Sequence, residues 1–336
     1  MTKEQINKLV SDGAFSGDNG KRTLIETHIS WVIACDQFVY KIKKPVHYSF
    51  LDFSTLKLRK HFCEREIELN KRLTEGIYLD VQPIRENKGN FVVGGKNGPV
   101  VEYAVRMQKL DKEKQMDQLL IKKQVTKPDI KSLADKISNF HSHTEIIYKK
   151  DVLKIREDFN DLEQQKEFLS EKLGDKYRKI IEHAINVSDS FIEKSKGLLA
   201  ARLREGFYRD GHGDLHSRNI FLLPAPVPFD CIEFNDDFRQ IDVLNEVAFL
   251  CMDLDAFDNK DLSEQFIADY NHFFPAIRTS EEQRLFIYYK SYRANVRAKV
   301  NSLRAKSAAS KKDENKALAD AKKYLHLMDH YLKFVG

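Results

Sequence analysis

HGDLHSRN (212–219) sets two histidines, an aspartate, an arginine and an asparagine in eight consecutive positions, and PFDCIEF (228–234) follows it on a β-rich run. Three readings compete for such a cluster. The histidines can bind a transition metal, as in a hydrolase that uses His212, Asp214 and His216 directly. The loop can be a capped turn with solvent-facing polar groups. Or the oxygen-bearing residues carry the chemistry, and His212 packs beneath the loop.

Spacing favours the third reading. Asp214 and Asn219 are five positions apart, and Asp230 comes after one short strand, IFLL (220–223). In kinase-type phosphoryl transfer a catalytic-loop aspartate takes or orients the proton of the acceptor hydroxyl. An asparagine five residues on holds magnesium, and an aspartate on a following strand holds the magnesium that bridges the nucleotide phosphates. Carboxylate and amide oxygens are the hard ligands Mg²⁺ prefers.

Upstream of this loop the pattern is mixed. Residues 3–10 read as a short helix. WVIAC (31–35) and FVYKIKK (38–44) are β-rich runs separated by Asp36-Gln37, a hairpin signal, and Pro45 ends the second. Residues 54–74 form a helical pattern capped by Ser54 or Thr55, with Leu58, Phe62, Leu69 and Leu73 on its apolar face. VQPI (81–84), NFVVGG (90–95) and VVEYAVRM (100–107) are further strand runs. Beyond Leu110 helices dominate: 115–122, 128–143 opened by Pro128, two between 150 and 200 broken near Gly174-Asp175, and everything from Asp242 onward. The polar run 305–317 reads as an exposed turn or a frayed helix start. The fold class expected is α+β: a β-rich lobe with one long helix over 1–109, then a mostly helical lobe over 110–336 that carries the loaded loop.

Composition narrows the function. A chain of 336 residues with 42% hydrophobic and 32% charged residues has the make-up of a globular protein. A net charge of +5 between two large opposing totals gives no argument for nucleic acid. Cys35, Cys63, Cys231 and Cys251 lie far apart with no CxxC pair, which speaks against a zinc site or a disulfide framework and for a reducing cytoplasm. No apolar run approaches the ~20 residues a membrane span needs.

HGDLHSRN followed by FDCIEFND resembles the aminoglycoside phosphotransferase-like enzymes, small-molecule kinases with a protein-kinase-like two-lobe fold. The string FDCIEFNDDFRQIDVLNEVAFLCMDLD (229–255) is similar to one bacterial branch of that family, often fused to a C-terminal P-loop ATPase domain; no GxxxxGK[ST] occurs in this chain. The resemblance implies ATP, or GTP, as donor, Mg²⁺ as cofactor and a small-molecule hydroxyl as acceptor. It implies Asp214 as base or hydroxyl-orienting residue, and Asn219 and Asp230 as magnesium ligands. Arg218 beside them offsets charge on the transferring group, or holds the loop by a salt bridge. It also demands a strand lysine on the phosphates and a helix glutamate to hold it. Lys41 in FVYKIKKPV is the choice, with Lys43 on the same sheet face as its competitor, and Glu66 is the partner because Leu69 and Leu73 share its helical face. The hinge falls at 107–111, where backbone groups of Met107, Gln108 and Lys109 would meet the base. The phosphate-covering loop falls near Thr27–Ser30, with the Thr27 or Ser30 hydroxyl in place of a Gly-rich motif.

Some features depart from the family or stay open. Gly213 replaces the arginine of His-Arg-Asp and Cys231-Ile232 replaces Phe-Gly, which argues against activation-loop control and against a folded protein substrate. Glu246 stands where the family usually has an aspartate that braces the catalytic loop. His141 and His143 in FHSH read as packing. The basic stretch 290–323 reads as a solvated helical face, with the alternative that Arg293 and Arg297 bind an anionic substrate. Asp236, Asp237, Asp253 and Asp255 bind a cationic acceptor or cap helices. The missing Gly-rich loop keeps a non-catalytic nucleotide-binding module as a rival, and neither the acceptor nor the oligomeric state is legible.

Overall fold

Asp36 and Gln37 turn the chain tightly: Ser30–Ala34 pairs antiparallel with Phe38–Lys43, Ala34 opposite Val39 and Val32 opposite Lys41. Cys35 N closes the turn on Phe38 O at 2.9 Å. This is a computed structural model describing residues 1–15, 17 and 20–335. The chain divides into two units. The first comprises Met1–Gln115, Asn219–Leu223 and Val227–Arg239; the second comprises Met116–Arg218, Pro224–Pro226 and Gln240–Gly336. Two segments downstream of the catalytic loop thus belong to the first unit.

In the first unit a seven-stranded sheet runs in the order Ala14–Phe15, Asn90–Val93, Tyr78–Asn87, Val100–Gln108, Phe38–Lys43, Ser30–Ala34, Thr23–Glu26. Only the first pair is parallel, Ala14 opposite Val92, and the sequence pattern does not reveal that two-residue edge strand. Side chains alternate across the sheet. Ile33, Tyr40, Ile42, Ile84, Phe91 and Val93 form a core with Ile6 and Leu9 of the helix Lys3–Asp12. The helix Leu56–Lys71 opens on the Thr55 hydroxyl, which accepts from Leu58 N at 3.2 Å. Its Cys63 and Ile67 join Ile77, Tyr78 and Val105 in a second cluster, and Lys41 and Lys43 alternate with the buried Tyr40 and Ile42 to reach this helix.

In the second unit the helix Val243–Ala256 is buried on every side from Val243 to Leu254, as a central helix must be. Asp242 caps it, accepting from Leu244 N at 2.9 Å, and also receives Arg202 through a two-pronged contact at 2.6 and 2.8 Å. Arg202, fully buried, donates a further bond to Glu282 at 2.8 Å. The helix Lys127–His143 starts in a capping box between Thr126 and Asp129, with Pro128 in its first turn.

Between 150 and 200 the two expected helices are in fact Lys154–Asn160, a 3₁₀ turn Asp161–Gln165, Lys166–Leu173 and Lys176–Arg204. The break at Gly174 holds, at φ 105°; the earlier ones carry no Gly or Pro to mark them. The polar run near 310 is a turn between Ser280–Lys306 and Lys311–Leu332, the latter capped by Ser310. The solvated-face reading of 290–323 is corrected at two positions: Arg293 and Arg297 are buried, because the helix Ser280–Lys306 contributes polar residues to the interior of its own unit. Among the described residues no helix is long and apolar enough to cross a membrane.

Candidate active site

The first unit assembles a chain of alternating charge. Glu66, fully buried, accepts from Lys41 Nζ at 2.8 Å through one oxygen and from Lys43 Nζ at 2.7 Å through the other. Lys41 goes on to Asp230 at 2.6 Å; Lys43 goes on to Glu233. The two lysines therefore differ in their second partner and in access. Lys43 is sealed between two buried carboxylates, whereas the Lys41 ammonium bridges to a carboxylate that is 41% exposed. Burial alone would lower the Lys41 pKa, but Asp230 and Glu66 outweigh it and hold the ammonium charged well above its ordinary range. Burial likewise opposes ionisation of Glu66, and the two cations reverse that, lowering its pKa to about 2.

Asp230 has a left-handed backbone, φ 66°, in a non-glycine residue. Its neighbours fix that turn: Asp230 N donates to the Tyr78 hydroxyl at 3.1 Å, and Cys231 N donates to Asn70 Oδ1 at 2.9 Å. One residue earlier, Phe229 N donates to Asn219 O at 2.9 Å, which seats Asn219 alongside Asp230 in the same unit. Asp230 and Asn219 bring a carboxylate and an amide, hard oxygen donors of the kind Mg²⁺ takes, to neighbouring backbone positions. Glu233, Tyr78 and Asn70 escaped the sequence reading. Glu233 lay three residues from Asp230 in the quoted run, and the second lysine was the signal that a second carboxylate was needed.

The second unit holds the loop around Asp214. Glu246 braces it from below: both its oxygens accept from His212 N at 2.9 Å, and one from Gly213 N at 3.2 Å. His141, also fully buried, lies 3.2 Å from Glu246 through Nε2 and 2.7 Å from the Tyr270 hydroxyl through Nδ1, so it packs and orients. Burial opposes ionisation of Glu246; the His141 contact and the loop N–H groups prevail and bring its pKa to about 2. The approach is so close that a Cβ on Gly211 would sit 2.0 Å from Glu246 Oε2. Glu246 thus reaches the loop backbone because Gly211 carries no side chain.

His212 Nδ1 accepts from Asp214 N at 3.2 Å, and His216 Nδ1 accepts from Arg218 N at 3.3 Å. Each acceptor nitrogen lacks a proton, so in the neutral rings Nε2 carries it, and His216 donates to Asp214 Oδ2 at 3.3 Å. Both histidines thus spend Nδ1 on the loop's own backbone. Among the described residues no group of three or more His, Cys, Asp or Glu side chains is arranged to hold a metal ion. Desolvation raises the Asp214 pKa, but the His216 hydrogen bond and the Arg297 charge hold it well below the usual carboxylate range. Arg218, 41% exposed along its side chain, has Nε 3.8 Å from Asp117.

Two expectations change. The Gln108 and Lys109 amides donate to Ile77 O and Gln37 O at 2.8 and 2.9 Å, so these N–H groups serve the sheet and not a base; Met107 sits opposite Val39 on the same strand. The Thr27 hydroxyl is taken up by its own turn, accepting from Ser30 N at 2.9 Å and donating to Ser30 O at 3.1 Å. Ser30 Oγ is buried without a hydrogen-bond partner. The acidic residues near 236–255 also have internal partners: Asp236 takes Arg239 at 2.7 Å, Asp253 takes Ser217, and Asp255 takes Tyr331 and Lys290, each at 2.5 Å.

No family model matches the sequence. The chain is 30% identical over 317 residues, 92% of its length, to the uncharacterized proteins Rv2004c of Mycobacterium tuberculosis and Mb2027c of Mycobacterium bovis. It spans 59% of the length of those relatives. Among solved structures it is similar to a choline/ethanolamine kinase family protein from Mesorhizobium loti, with a TM-score of 0.51 over 95% of this chain and 94% of that one, at 11% identity. A thermostable mutant of aminoglycoside phosphotransferase APH(4)-Ia aligns with a TM-score of 0.49 over 95% of this chain and 98% of that one, at 10% identity. With the first of these, the sheet-and-helix unit and the helical unit identify the α+β, protein-kinase-like fold.

Proposed function

We propose that this chain is a phosphotransferase that passes the γ-phosphoryl group of ATP or GTP to a hydroxyl of a small molecule, in the cytoplasm. The observation that carries the reading is Lys41, held between the buried Glu66 and the half-exposed Asp230. A merely structural ion pair has no use for a second, accessible carboxylate on a strained backbone. Similarity to small-molecule kinases supports it at the level of fold.

The roles follow from the chemistry of each group. Lys41 presents a fixed positive charge to nucleotide phosphates, and Glu66 keeps its long side chain in one rotamer, which reduces the entropy lost on binding. Asn219 and Asp230 would hold Mg²⁺, which neutralises charge on the phosphates when bound. Asp214 accepts a hydrogen bond from the acceptor hydroxyl and aims its oxygen at phosphorus. A bond forms from that oxygen to the γ-phosphorus while the bond to the β,γ-bridging oxygen breaks. The hydroxyl proton passes to Asp214, and the nucleoside diphosphate leaves. A carboxylate as acidic as Asp214 is a weak base, so orientation precedes proton transfer, as suits a loose transition state.

The test is nucleotide consumption over a panel of hydroxylated metabolites, with Asp214→Ala as the blank. Turnover with one acceptor, lost in the variant while the nucleotide-induced rise in Tm persists, is the expected result. Wild-type turnover in the variant removes Asp214 from its role. A Tm rise with no turnover for any acceptor favours the non-catalytic module.

A further inference from the structure

The helix Ser280–Lys306 brings three arginines in succession to the side of the second unit where Asp214 lies. Arg293 Nη1 donates to Gly213 O at 3.2 Å and its Nε to Asn245 Oδ1 at 2.7 Å, so this first arginine is consumed in fixing the loop. One turn on, at the i+4 spacing that keeps residues on one helical face, stands Arg297. It is 8% exposed, its guanidinium lies 5.4 Å from the Tyr324 ring centre, and its Nε is buried without a hydrogen-bond partner. Two turns further, Arg304 is exposed.

Several observations show that these groups face one place. The Tyr324 hydroxyl beneath Arg297 donates to Asp253 Oδ1 at 3.4 Å, and the other Asp253 oxygen is taken by Ser217 N at 2.9 Å and Ser217 Oγ at 2.5 Å. Arg297 is therefore tied through two side chains to the catalytic loop itself, while the carboxylate that would pair with it is already occupied. Its charge reaches Asp214, whose ionisation it favours. Desolvation and the Arg297 and Arg218 cations together hold Arg304 below the usual guanidinium range, with Asp320 and Asp214 opposing them. The Tyr324 hydroxyl, Asp253 and Asp214 favour the Arg297 charge against desolvation and Arg218 has Asp117 nearby, yet the Arg297 Nε donor stays buried without an acceptor, which costs ~1–3 kcal/mol.

We propose that Arg297, with Arg304 and Arg218, binds an anionic group of the acceptor, so that the substrate is a small hydroxylated carboxylate or phosphate ester. Resting on the phosphotransferase reading, this places the acceptor's negative charge on the guanidinium cluster and its hydroxyl at Asp214. It also accounts for the acidic residues Asp253 and Asp255, which are engaged with Ser217, Tyr324, Tyr331 and Lys290 rather than held ready for a cation.

The experiment has a turnover arm and a binding arm. Nucleotide consumption is followed with hydroxy acids and sugar phosphates, each beside its uncharged analogue, and with choline as a cation. Binding of the same anions to the whole chain is measured by calorimetry. Wild type should prefer the anionic member of a pair. Arg304→Ala, at an exposed position, should raise KM and Kd for the anion about tenfold at nearly unchanged kcat and Tm, and Arg297→Lys should raise Kd for the anion at least as much. Phosphorylation of neutral or cationic acceptors alone overturns the proposal and leaves the phosphotransferase reading standing. Absence of saturable anion binding, or binding that both variants retain in full, overturns it whether or not turnover is found.

Discussion

Lys41 and Lys43 point from one strand to one glutamate, yet the two should behave differently when removed. Lys43→Met leaves Glu66 and Glu233 buried with one cation fewer between them, an uncompensated charge that costs ~3–5 kcal/mol. Its expected signature is a loss of Tm. Lys41→Met leaves Asp230 half exposed and able to hydrate, so stability should fall less while kcat/KM drops about 100-fold or more. Steady-state kinetics and thermal melts on the pair decide the matter, and a catalytic loss confined to Lys43→Met would exchange the roles. The family resemblance called for a strand lysine and a helix glutamate and chose Lys41 over Lys43, and helical spacing chose Glu66. What the sequence could not show is the difference in the lysines' second partners, because Asp230 and Glu233 lie about 190 positions away in the chain.

At the scale of elements the catalytic loop is held by a carboxylate from the helix Val243–Ala256, and this contact depends on the missing side chain at Gly211. Gly211→Ala drives a methyl group into Glu246, and because both are buried neither can yield. The expected cost is ~2 kcal/mol, a fall in Tm of about 5 °C, with reduced turnover as the loop shifts. Unchanged melting and unchanged rates would show that the brace is dispensable. Long, strongly patterned elements were legible in advance: the Asp36-Gln37 hairpin, the capped helix after Thr55, and the Pro128 helix. Short strands such as Ala14–Phe15 and the breaks near 160 were not, since two or three residues carry no period. The buried arginines of the helix Ser280–Lys306 were misjudged as a solvated face, because pattern rules score charge as surface and do not register a partner on another element.

For the whole molecule, the buried carboxylates set the acid limit. Glu66 and Glu246 ionise in the folded chain at about 2 rather than 4.5, and Asp253 is also depressed. A carboxylate with a lowered folded pKa contributes stability above its unfolded value, and that contribution is lost as pH falls towards the folded one. Melting temperature should therefore be level above pH ~5 and fall steeply between about pH 4.5 and about 2. A Tm that holds down to pH ~3 would contradict these ionisation states.

The Lys41–Asp230 and Lys43–Glu233 pairs also impose an order in time. The first unit is not finished by its own leading segment, since it takes in Asn219–Leu223 and Val227–Arg239 from far downstream. During synthesis Lys41, Lys43 and Glu66 emerge with the first 115 residues, two cations facing one carboxylate. Their remaining counter-charges arrive more than a hundred residues later, after the helices between Met116 and Arg204 have been made. Closing such distant pairs is slow. The strands of the sheet are all made by Gln108, but the ion-pair chain beside it stays open until Asp230 and Glu233 arrive, so the first unit is completed long after its sheet has been translated.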